Sequence, residues 1–153
     1  MSFRSPEQLS RDEPSLARQE RTFNKRTVQE WLAGAVAKLE DAKRGANSGP
    51  TRMDAAYDVL LYCALALFAS KGFRITSSPG HHVVALEGMA HLLNLSQSVF
   101  DEMDAVREWR NRKYSAAFFV NDRDVKDAID CARQSLSRTE SWFQRNHPDI
   151  LRA

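Results

Sequence analysis

Val28, Trp31, Leu32, Ala35, Leu39 and Ala42 fall at i, i+3, i+4, i+7, i+11 and i+14, the spacing of one apolar face on an α-helix. Thr27-Val28-Gln29-Glu30 opens it as a capping box, in which hydroxyl and carboxylate satisfy free amide donors reciprocally. Gly45, Asn47, Ser48, Gly49 and Pro50 break the pattern, and a second helix is predicted from Thr51, with Asp54 at its positive dipole end. Tyr57, Leu61, Ala64, Leu65 and Phe68 form its stripe, and further apolar residues on either side mark a central, well-buried helix that Gly72 stops. Residues 73–80 read as a loop. A third helix follows over about 81–94, a fourth from Ser96 to near Tyr114, and a last one from Asn121 and Asp122 to Pro148. Residues 1–24 are polar, mixed in charge and broken by Pro6 and Pro14, the pattern of a solvated, partly mobile extension. Residues 25–153 are expected to form one all-α domain, an up-and-down bundle of four long helices and a shorter one.

Composition agrees with that reading. Val, Ile and Thr together number 17 of 153 residues, against 19 Ala and 14 Leu, too few for a sandwich or barrel. The longest apolar run, 59–70, is interrupted too early to span a bilayer, and the N-terminus lacks the apolar core of a secretory signal. A cytoplasmic protein with no membrane attachment is the expectation. Cys63 and Cys131 lie far apart inside helical patterns, as buried thiols in a reducing compartment do, and no C-x-x-C pair occurs.

Net charge changes the picture only when it is localised. The chain carries +2 in all, yet residues 107–113 hold four cations and one acid, so +3 sits there and the remainder nets −1. In the fourth helix Val99, Phe100, Met103 and Val106 share a face, and Arg107, Arg110, Asn111 and Tyr114 stand on its continuation. Trp109 and Arg112 are expected to point elsewhere. Polar groups where a bundle calls for apolar ones suit a functional site better than a scaffold. A structural alternative stands beside this: cations complement a helix C-terminus, or pair with Asp54 or Asp58 on a neighbouring helix. His81 and His82, at the start of the third helix, could serve as auxiliary acid or base; read structurally, they make ordinary first-turn polar contacts. No histidine, cysteine and acid set has metal-ligand spacing, and no cofactor motif occurs, so neither metal nor cofactor is expected.

The run Arg107-Glu108-Trp109-Arg110-Asn111-Arg112-Lys113-Tyr114 resembles the signature of the HEPN superfamily, small helical-bundle proteins with an R-N dipeptide late in the bundle. Arg52 through Leu67 resembles the family's long central helix, and Gly80-His81-His82 a turn found in some small stand-alone members. The resemblance implies a homodimer whose R-N motifs face one cleft. Many members are metal-independent endoribonucleases, often toxins paired with a nucleotidyltransferase antitoxin or acting in phage defence; others only bind RNA or nucleotides. Carried over, Arg107, Arg110, Arg112 and Lys113 bind phosphate, while Arg110, Asn111 and Tyr114 take the catalytic positions. A guanidinium suits that task because it grips phosphate bidentately at any pH. The family's histidine is absent: Ser115 stands at its position and Tyr114 just before, and a phenol with a pKa of about 10 is a poor base at neutral pH. An RNA- or nucleotide-phosphate-binding protein is therefore expected, with endoribonuclease activity as the sharper form. The alternative is an inactive relative that acts as a regulatory or structural helical partner.

Overall fold

The computed structural model describes residues 2–20, 24–112 and 120–151, Arg112 by its backbone alone. In chain order these form α1 (Pro6–Asp12), β1 (Ala17–Gln19), α2 (Lys25–Lys43), α3 (Gly49–Ser70), β2 (Phe73–Ile75), α4 (His81–Leu92), α5 (Gln97–Arg112) and α6 (Asp122–Asn146), closed by a 3₁₀ turn over Pro148–Leu151. The class is all-α, with a single pair of three-residue strands among the described residues.

α3 is the axis. A helix apolar nearly all round is stable only when covered on every side, and α2, α4, α5 and α6 all pack on it. Tyr57, Leu60, Cys63 and Leu67 are fully shielded as a result. The helix starts earlier than Thr51 because Ser48 caps it, its Oγ accepting from the Thr51 amide at 3.3 Å, with Pro50 in the first turn where a missing N–H costs nothing. Its 22 residues are thus long and apolar enough to cross a bilayer by length and composition, unlike the shorter run 59–70, but 67% of its apolar 18-residue stretch is buried inside the fold. α2 likewise begins before the capping box at Thr27. Asn24 is the cap, and its Oδ1 accepts from the Thr27 amide at 3.2 Å. Burial of Cys63 and Cys131 is as expected, and it pushes their thiols up to about 12 and about 11.

The N-terminal segment departs most from expectation. Residues 2–20 are not a solvated arm but a strap across the bundle. Ser5 Oγ accepts from the Gln8 amide at 3.1 Å while Gln8 Oε1 accepts from the Ser5 amide at 2.8 Å, a capping box that starts α1 with Pro6 in the tolerated first position. Leu9, Leu16 and Ala17 then bury against Phe68, Phe73 and Val84 in a second core. Arg4 donates to Glu87 from its backbone N and Nε, both at 2.8 Å, and also pairs with Asp12 and Glu13. His91 Nδ1 donates to the Phe3 carbonyl at 2.9 Å. β1 runs antiparallel to β2, Arg18 opposite Arg74, inside a stretch expected to be loop. Gly88 on α4 completes the seat, since a Cβ there would collide with the Phe68 ring.

The two buried leucines each contribute about 1.5–3 kcal/mol on leaving water and, with the Arg4 ion pairs and the β1–β2 ladder, offset part of the cost of ordering the strap. Leu9→Ala is therefore expected to lower the unfolding free energy in urea by about 2–5 kcal/mol, the range for a fully buried leucine. An unchanged midpoint would mean that the strap does not share the fold's cooperative core.

Candidate functional site

α5 carries Arg107 and Arg110 because Met103 and Val106, both essentially inaccessible, fix which of its faces meets α3 and α4. Arg107 lies on that side, its side chain 16% exposed, and is held by Asp104 at 2.7 Å and Glu108 at 2.9 Å. Arg110, one turn on, sets its guanidinium over the ring of Tyr57, 5.2 Å from the centroid. Its Nε is buried and has no hydrogen-bond partner among the described residues. Asn111 is exposed rather than on the inward face, since a further 100° of helical rotation carries it past the edge of the contact. Trp109 is half-buried and packs on the core instead of pointing away. Arg112 ends α5; its side chain, with Lys113 and Tyr114, lies outside the described residues.

Tyr57 is the residue that the sequence pattern assigned only to the core. Its hydroxyl meets His82 Nδ1 at 2.6 Å, and the two rings stand edge to face with centroids 5.4 Å apart. His82 in turn lies against His81, with centroids 3.8 Å apart and planes tilted by 37°. Gly80 makes this turn possible: its φ of +92° lies in the left-handed region, which glycine enters without strain. Thus α3, α4 and α5 bring Tyr57, His81, His82, Arg107 and Arg110 to one place. Asp58 sits on the flank, paired with Lys38 at 3.5 Å. Arg52, by contrast, donates from Nε to the Ala42 carbonyl at 2.8 Å and caps the end of α2.

Two hydrogen bonds assign the protons on the histidines. A buried phenol leaves no O–H unsatisfied, so Tyr57 donates to His82 Nδ1, and the proton of neutral His82 is on Nε2. His81 Nδ1 faces the Ser78 carbonyl at 2.8 Å, and a carbonyl only accepts, so His81 carries its proton on Nδ1 and a lone pair on Nε2. Electrostatics keeps the Tyr57 phenol and the His82 imidazole uncharged. Burial, then His81, Arg110 and Arg107, hold His82 down to about 4. Burial raises the Tyr57 phenol above its ordinary value, with Arg110 and Arg107 pulling back. Asp58 is also raised by burial, opposed by Lys38 and Arg110. With both imidazoles neutral, the arrangement presents donors from Arg110 and His82 beside one acceptor on His81, which suits an anion that carries a hydroxyl. No group of three or more His, Cys, Asp or Glu placed to hold a metal occurs among the described residues.

In comparisons with known proteins, no family model, curated protein or solved structure matches this chain.

The low His82 value has a sign. The unfolded chain takes up a proton near 6.5 that folded His82 refuses until about 4. Its contribution to stability is complete above about pH 6.5 and is lost as pH falls through 4. The difference in unfolding free energy between the wild type and His82→Gln is therefore expected to shrink steadily as the pH is lowered over that window. A difference independent of pH would show that His82 titrates alike in both states.

Proposed function

We propose that the protein binds the phosphate of RNA or a nucleotide at the Tyr57–His82–Arg110 cluster, with Arg110 as the principal grip. The observation that supports this reading is the half-buried Arg110 guanidinium, whose Nε lacks a partner beside two uncharged rings. A fixed cation whose inaccessible Nε makes no bond within the fold gains a charge-assisted hydrogen bond where an oxyanion reaches the rest of its guanidinium, and desolvated surroundings strengthen it. Arg107 contributes field rather than contact, because Asp104 and Glu108 already occupy it. A homodimer with two such sites facing one cleft belongs to the same reading.

Cleavage of RNA without metal requires a base for the 2′-hydroxyl. Tyr57 and His82 are engaged with each other, which leaves His81 Nε2 as the only lone pair that this cluster offers among the described residues. Phosphate binding, which needs Arg110 alone, is the primary reading, and His81 Nε2 is the base that metal-free cleavage would use. The internal pairing of Arg107 favours a second reading, a helical interaction partner whose arginines are structural.

Fluorescence anisotropy with a short oligoribonucleotide separates the two. Arg110→Ala is expected to weaken binding by about ten- to a hundredfold, the range for a hydrogen bond to a charged group. Arg133→Ala, which removes an exposed cation already paired with Asp130, should lose far less. Equal losses in the two variants, or none, would remove the assignment of Arg110 and leave the interaction-partner reading.

A further inference from the structure

Adjacent histidines with opposite proton placement are more specific than a basic patch. With ring centroids 3.8 Å apart, His81 and His82 offer an Nε2 lone pair and an Nε2–H on adjoining rings. Both residues are half-exposed, and neither Nε2 is among the buried polar atoms that lack a partner. The placement is not free to swap. Reversing His82 would strand the buried Tyr57 hydroxyl, and reversing His81 would set a lone pair against the Ser78 carbonyl.

The loop that carries this carbonyl is held by the strap through Thr76. The Ser78 amide donates to Thr76 Oγ1 at 3.4 Å, and Thr76 Oγ1 donates to the Ser15 carbonyl at 2.6 Å. The Thr76 amide donates to the Leu16 carbonyl at 2.8 Å. Docking of residues 15 and 16 therefore fixes the loop that sets the polarity of His81.

A ligand that satisfies such a pair must bring an O–H donor beside an oxyanion. An internal phosphodiester of a deoxyribose strand supplies the anion but no neighbouring hydroxyl, and so brings no donor to the His81 lone pair. A ribose phosphate supplies both, because its 2′-hydroxyl adjoins the 3′-phosphate.

We infer that His81 is the specificity-determining residue of this site, accepting from a ribose hydroxyl while His82 Nε2–H and Arg110 donate to the neighbouring phosphate. The inference rests on the phosphate-site reading above and adds to it the discrimination of ribose from deoxyribose.

The test uses the full chain and one short sequence prepared as RNA, as DNA and as 2′-O-methyl RNA, with dissociation constants measured by anisotropy in EDTA. The methylated strand keeps an RNA-like sugar but has no donor. RNA is expected to bind about three- to tenfold more tightly than either of the others, the factor for one neutral hydrogen bond. His81→Phe retains a ring to stack on His82, and its RNA affinity should fall to that of the methylated strand. Its thermal unfolding curve checks that it folds, and the wild-type comparison across strands stands whether or not it does. Equal wild-type affinity for the three strands overturns the role of His81 and leaves the phosphate site in place. A preference for RNA that survives in folded His81→Phe also overturns it. Failure of all three strands to bind overturns the phosphate-site reading together with it.

Discussion

A phenol placed at the centre of an apolar bundle has to find an acceptor, and much of this structure is arranged around that requirement. α3 is covered on all sides, which leaves Tyr57 with no solvent at all. Its hydroxyl is met by His82 Nδ1 from the first turn of α4. The ring can be there because Gly80 turns the chain through a left-handed conformation just before it. An unsatisfied buried hydroxyl costs about 1–3 kcal/mol, enough to select one packing of α4 over its alternatives. Once His82 is held in this way, its proton is on the outward nitrogen, and His81, stacked on it, presents the opposite polarity.

The same constraint explains how a nearly neutral chain could address an anion. The net charge is only +2. Arg107 is consumed by Asp104 and Glu108, and Lys38 by Asp58. Arg110 stands apart from these pairs, above the Tyr57 ring and beside a histidine that burial keeps uncharged. One guanidinium apart from these pairs, set over a phenol ring that water does not reach, can act more strongly than several solvated lysines. Local geometry, not total charge, is the relevant quantity here.

Helical periodicity made α2 to α6 legible, and it put Arg107 and Arg110 on the face that meets the core, because those signals are local. The strap was not legible for the converse reason. Leu9 and Leu16 are isolated apolar residues in a polar stretch, and the partners that bury them, Phe68, Phe73 and Val84, are remote in sequence. The Ser5–Gln8 box was a readable local signal that the flanking prolines obscured, although Pro6 sits where proline is tolerated. Three-residue strands have no alternation long enough to register. In the site, Tyr57 counted as one more member of an apolar stripe. Its pairing with His82, 25 residues on, depends on how α3 and α4 cross, which periodicity does not encode. Asn111 shows the limit of angular reasoning: it follows Arg110 in sequence but is exposed at the edge of the contact.

The account turns on where two protons reside. Long-range proton–nitrogen NMR correlation of the imidazole rings, in mildly alkaline buffer with His81 and His82 assigned by substitution, reads this directly. The expected spectrum shows His82 protonated at Nε2 with a bare Nδ1, and His81 protonated at Nδ1 with a bare Nε2. The same tautomer on both rings, or His82 protonated at Nδ1, would contradict the account, because Tyr57 would then not be the donor that sets the site's polarity.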